Sequence, residues 1–211
     1  MVDMKSMSSK EKIGYVWDYY KIHIIGGAVL IFVLISIIYG QITKIENIFN
    51  LTLMGPTIND EKILDLEKDI TSILISSAEK KKQASIGLLQ VSSQIGNMNN
   101  DFDAQLMQKF MAQVSVGEID LLVLDKNNFD KFVEQKTFSN LEEITELSQA
   151  AFKNKKLLGD SSASGVYGID AENNKKLENI GYDTKNKVIC IVVTSKRKDK
   201  AVEIMKWLLI E

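Results

Sequence analysis

The chain has 211 residues, and 26 Lys and Arg against 28 Asp and Glu leave a formal net charge of −2. That balance supplies no broad basic field, so nucleic acid is not an expected partner. A single cysteine, Cys190, excludes an intrachain disulfide; with a single histidine, His23, it leaves no cluster of the kind zinc requires, and no cofactor is expected.

In chain order, the first feature is the aromatic stretch Tyr15-Val16-Trp17-Asp18-Tyr19-Tyr20-Lys21. Trp and Tyr favour the headgroup level because their rings are amphipathic, and Lys favours anionic headgroups. The stretch therefore reads as an interfacial belt or as a contact for a membrane-protein partner. The run from Ile22 to Thr43 carries no charged residue. At about 1.5 Å per residue it makes a helix of ~33 Å, enough for a hydrocarbon core about 30 Å thick. Its length and the poor cleavage site after it favour an uncleaved signal-anchor over a signal peptide. Lys5, Lys10, Lys12 and Lys21 precede the run and Lys44 alone follows it closely, so the N-terminus is expected in the cytoplasm and the rest outside. The expected organisation is a cytoplasmic tail at 1–21, a transmembrane helix at 22–43, a tether at 44–49 and an extracytoplasmic domain at 50–211. The location is the cell membrane, crossed once.

Beyond the tether, Asn50–Gly55 reads as a strand broken by Pro56. Asn59 or Asp60 caps the next predicted helix, whose Ile63, Leu66, Ile70, Ile73 and Leu74 recur at helical spacing. A strand over Ser85–Val91 precedes a polar loop from Ser92 to Asn100, and a helix striped by Phe102, Leu106, Phe110 and Val114 ends at Gly117. Ile119–Leu124 is the third strand, and a short helix from Phe129 to Gln135 follows it. Ser139-x-x-Glu142 has the form of a capping box opening a helix along Leu141, Ile144, Leu147 and Ala151. Val166–Ile169 is a short strand and Lys187–Thr194 the strongest one. The apolar run of the latter lacks alternation, as in a central strand buried on both faces. A helix from Asp199 to Leu209 closes the pattern. The expected fold class is α/β: one N-terminal transmembrane helix, then a three-layer domain with a mainly parallel sheet, a βαβαβ start and a late strand plus C-terminal helix.

Two segments resemble one lobe of the extracellular solute-binding proteins that serve ABC transporters. From Leu106 the pattern is a helix, the turn Gly117-Glu118-Ile119-Asp120, a strand, and a segment ending in Asn140-Leu141-Glu142. Residues 187–209 resemble the late strand and helix of that family, with Ala201, Trp207 and Leu208 in its A-x-x-x-x-x-W-L spacing. The N-terminal KEKIGYVWDYYKIHI is similar to the start of small single-pass membrane proteins of Gram-positive bacteria. The resemblance implies an α/β fold and an alternative role as a small-solute-binding module serving or sensing for a transporter.

No P-loop, no GxGxxG and no G-x-S-x-G occurs. Cys190 lies in an apolar strand and reads as core. The cations Lys196, Arg197, Lys198 and Lys200 read as a solvated loop or as contacts to an anionic surface. The expectation is a non-catalytic interaction module, an accessory or assembly partner of a membrane complex. Its membrane or partner contact is assigned to Tyr15, Trp17, Tyr19, Tyr20 and Lys21. Should the domain bind a small molecule, the candidate surface is the loops at the strand carboxyl ends, with Thr57, Asn59, Ser92, Ser93, Asn97 and Asn127.

Overall fold

The computed structural model describes residues 8–56, 58–75, 79, 81–90, 101–147, 157–159 and 165–210, with backbone alone at 9–12, 15, 16, 101–103 and 157–159. The chain divides into two compact units, one up to Ile45 and one from Glu46 on.

The first unit is one helix, α1 (Ser9–Thr43). Its Trp17–Thr43 stretch, with mean hydropathy 2.6, is long and apolar enough to cross a membrane, and none of it is buried inside the protein. Ile22, Leu30, Phe32 and Ile38 are all exposed. Fully burying a side chain of this size is worth about 1.5–3 kcal/mol, so such a surface favours a non-aqueous environment.

The second unit contains β1 (Glu46–Met54), α2 (Asp60–Leu74), β2 (Lys82–Leu89), α3 (Asp101–Val116), β3 (Leu121–Asp125), α4 (Lys126–Glu134), β4 (Leu157–Gly159), β5 (Val166–Asp170), α5 (Lys175–Asn179), β6 (Lys187–Ile191) and α6 (Lys198–Leu209). β1 begins at Glu46, so the strand takes in residues that the sequence assigns to a tether. The strand order is β2-β1-β3-β6-β5-β4. β1 pairs in parallel with β2 and β3, as the βαβαβ pattern predicts. β6 runs antiparallel to both β3 and β5, and β4 is antiparallel to β5. The sheet is therefore mixed, not mainly parallel. The error has a physical source: an unbroken apolar run encodes burial on both faces, which an antiparallel central strand satisfies equally well.

Apolar clusters lie on both faces of this sheet. Phe49, Leu51 and Leu53 of β1 and Ile189 and Ile191 of β6 pack with Ile63, Leu66 and Ile70 of α2 and Ala201, Ile204 and Met205 of α6. The alternate residues of the sheet, including Met54, Leu122, Leu124, Val188 and Cys190, pack with Phe110 and Val114 of α3 and Phe129 and Phe132 of α4. The period of two along each strand thus divides one apolar sequence between two clusters.

Local chemistry sets the element ends. Asn59 caps α2 as expected: its side chain accepts from the Glu61 N–H at 2.9 Å, and Asp60 and Glu61 fill the first turn. The helix expected from Ser139 is instead a 3-10 helix over Leu141–Glu143. The cap is Asn140, whose side chain accepts from the N–H groups of Glu142 and Val166 and so ties this turn to β5 rather than opening a longer helix. Ala151, the last residue of that expected stripe, lies outside the described residues.

The free edge of β2 is guarded. The N–H groups of Ala84 and Ile86 donate to Thr71 Oγ1 at 2.9 Å and to Glu67 Oε1 at 2.7 Å, both on α2. Two donors that an exposed edge would offer to another strand are thereby satisfied within the unit.

Candidate functional site

Among the described residues, polar or aromatic groups that a partner could use gather at three places. The first is the aromatic stretch, which is part of α1 rather than a separate tail element. Trp17, Tyr19, Tyr20 and Lys21 are exposed there, and Tyr15 lies on the same helix. The Tyr19 and Tyr20 rings meet edge-on at 4.8 Å, and Tyr20 and His23 at 6.2 Å. Trp17 and Tyr20 are three residues apart and share a helix face with Ile13 and Ile24. His23 accordingly sits against an aromatic ring.

The second place is the carboxyl end of β1 and β3. α2 leaves β1 and α4 leaves β3 for opposite faces of the sheet, the situation in which open α/β sheets form a crevice. Asp125 and Lys187 form an ion pair here at 2.5 Å, with the Lys187 side chain almost fully buried and Asp125 partly exposed. The Lys187 ammonium also lies 5.6 Å from the centre of the Tyr182 ring. Asp125 precedes α4 but makes no side-chain cap bond, because its carboxylate is engaged with Lys187. The buried Tyr182 phenol donates to the Met54 carbonyl at 2.7 Å. Burial, and then the negative charges of Asp125 and Asp183, push its pKa well above 10.0. A Cβ at Gly55 would lie 3.3 Å from the Tyr182 ring, so the end of β1 and this ring are in close approach.

Tyr182→Phe tests this corner. Loss of the buried hydrogen bond is expected to cost about 1–2 kcal/mol, read by urea unfolding of the full chain in detergent through Trp207 fluorescence in a Trp17→Phe background. A pH dependence accompanies it. Because the folded-state pKa is raised, the stabilisation is complete below the unfolded phenol's ordinary value of 10.0 and declines above it. The difference between wild type and Tyr182→Phe therefore narrows as the medium becomes more alkaline than that value.

The ligand-loop residues fare unevenly. Asn59 is engaged as a helix cap, and Asn127 is exposed in the first turn of α4. Thr57, Ser92, Ser93 and Asn97 lie outside the described residues.

The third place is a groove of about 680 Å³ over the β1–β2 face beside α3, which the sequence reading missed. Thr52, Ser85 and Gly87 line it from the sheet, Lys109 and Gln113 from α3, and Lys196 and Arg197 from the turn before α6. Arg197 is not the solvated cation that the sequence suggests. Its Nε donates to the fully buried Asp120 carboxylate, and its two terminal nitrogens donate to the carbonyls of Asn47 and Glu118. Asp120 also accepts from the Ser195 hydroxyl at 2.6 Å and the Asn50 N–H at 2.8 Å. The junction of β1, β3 and β6 is thereby locked, and the charge of Arg197 is balanced. The one clue in the sequence is the Gly117-Glu118-Ile119-Asp120 turn. Gly117 has φ +72, and a Cβ there would stand 2.4 Å from the Thr194 carbonyl oxygen.

Among the described residues, no group of three or more His, Cys, Asp or Glu is placed to hold a metal ion. Burial pushes the Cys190 thiol pKa up, so the thiolate needed of a nucleophile is disfavoured. Compared with known proteins, the chain matches no family model, no curated protein and no solved structure.

Proposed function

We propose that this chain is a membrane-anchored, non-catalytic interaction module, an accessory or assembly partner of a membrane complex. The observation that carries this reading is α1: one continuous helix that joins an exposed aromatic turn to an apolar stretch buried nowhere in the protein. In this reading α1 spans the bilayer once, with its N-terminus in the cytoplasm, as the lysine distribution favours. Trp17, Tyr19, Tyr20 and Lys21 sit at the inner interface and meet a membrane-protein partner there, with Tyr15 on the same helix. The α/β unit, three-layered around its mixed sheet, is presented outside. The internal engagement of Asp120, Arg197, Asp125, Lys187 and Tyr182 supports a non-catalytic role, since each has a structural partner.

The test is crosslinking and affinity purification of the full-length protein from its native membranes, beside a variant with Trp17, Tyr19 and Tyr20 changed to Ala. A defined complex that the variant loses is the expected result. Equal recovery of that complex with both proteins would remove the aromatic turn as its contact, and absence of any complex would overturn the reading.

A second reading, a small-solute-binding module serving or sensing for a transporter, draws on the crevice at the carboxyl ends of β1 and β3. The Asp125–Lys187 pair places charge at the position where such sheets receive ligands. Saturable binding that is lost in Asp125→Asn while the fold is kept would favour it over the first.

A further inference from the structure

We infer that the groove between α3 and the β1–β2 face is a binding site for a small hydroxylated anion, a carboxylate or phosphate on a polyol or sugar-like body. The inference is independent of the membrane-partner reading and concerns a place distinct from the carboxyl-end crevice. Three observations point to it.

The floor is polar where a covered sheet would be apolar. Thr52 and Ser85 face it from neighbouring strands, and among the described residues neither hydroxyl meets a hydrogen-bond partner within the protein. Gln113 offers its side-chain amide from the α3 wall in the same state. Together these groups match a body rich in hydroxyls.

Gly87 lies inside β2, where glycine weakens a strand and often marks close approach of a ligand. Its backbone does not require glycine: it shows no positive φ, and a Cβ would meet only Thr52 Oγ1, at 3.6 Å, an ordinary contact. The missing side chain leaves room on the groove floor.

The charge is one-sided. With Arg197 balanced by Asp120, the described lining carries the exposed Lys109 and Lys196 against one carboxylate, Glu118. The net positive lining favours an anion. A volume of about 680 Å³ lies within the range of about 300–1,000 Å³ usual for small-molecule sites.

Amide NMR of the isotope-labelled full chain in a zwitterionic nanodisc tests the proposal, with gluconate and glycerol 3-phosphate as probes and glucose and glycerol as their neutral counterparts. The expected result is saturable shifts at Thr52, Ser85 and Gly87 from at least one anion, and weaker effects from its neutral counterpart. Lys109→Ala with Lys196→Ala should weaken binding by about tenfold or more. Gly87→Leu should abolish it while the melting temperature is kept or raised, which separates loss of the site from loss of the fold. No saturable shift from either anion would overturn the proposal. So would shifts that persist in Gly87→Leu, or equal responses to charged and neutral probes.

Discussion

Asp120→Ala is expected to destabilise the α/β unit by about 3–5 kcal/mol, the largest effect of any single substitution considered. The carboxylate is fully buried and is the common acceptor for Ser195, Arg197 and the Asn50 N–H. Removing it leaves a partly buried guanidinium without its counter-charge and two donors without an acceptor. Its backbone is also part of the junction: the Asp120 N–H donates to the Asn50 carbonyl, and its carbonyl accepts from the Val192 N–H. Those two bonds survive the substitution, so the folded state should persist in weakened form. Asp120→Asn keeps the shape and one acceptor oxygen, and should cost less. Urea unfolding of the full chain in detergent, followed through Trp207 in a Trp17→Phe background, measures both. A loss below about 1 kcal/mol for Asp120→Ala would show that the junction is held by its backbone bonds alone.

Gly168→Ala is the second. β5 approaches its neighbours so closely that an added Cβ would stand 2.4 Å from Val188 Cγ1, 2.9 Å from the Phe129 ring and 3.0 Å from Cys190 Sγ. None of the three can retreat into solvent, since Val188, Phe129 and Cys190 are all buried. Phe129 is further held by stacking on Phe138, with ring centres 5.7 Å apart. The sheet or α4 must shift to admit the methyl group. Overpacking of this kind costs about 1–3 kcal/mol, and the three-sided contact places this site at the upper end. The melting temperature should fall by about 5–10 °C, given about 2–4 °C per kcal/mol for a domain of this size. Gly87→Ala is the matched control: the same added methyl group meets only Thr52 Oγ1, at an ordinary contact distance of 3.6 Å, and should be neutral or stabilising. Equal effects at the two glycines would refute the packing argument.

Much of the fold is legible in the sequence. A mostly apolar run without Asp, Glu, Lys or Arg from Ile22 to Thr43 marks a helix able to cross a membrane. The spacing of Ile63, Leu66 and Ile70 marks the buried face of α2, and Asn59 marks its start. The parallel pairing of β1 with β2 and β3 follows from strands alternating with helices. These features are local: each depends on residues within a turn or two of one another, where periodicity and capping chemistry act.

The candidate sites were less legible for a related reason. The aromatic turn stands out as composition, yet its continuity with the long helix is a property of the folded chain. Lys196-Arg197-Lys198 looks like a solvated charge run because nothing nearby in sequence would engage it. The partner of Arg197 is Asp120, 77 residues earlier, and the antiparallel course of β6 brings the two together. Ser139 looks like a cap until Asn140, bonded across to Val166, displaces it.

What the amino-acid sequence determined by itself is therefore the apolar span, the α/β class, the parallel start of the sheet and the absence of any local catalytic motif. Only the tertiary structure decided the direction of β6, the Asp120–Arg197 lock and the groove over Thr52, Ser85 and Gly87. Periodicity records how deeply a residue is buried; strand direction and long-range partners arise from which distant surfaces pack together, and no local pattern carries that.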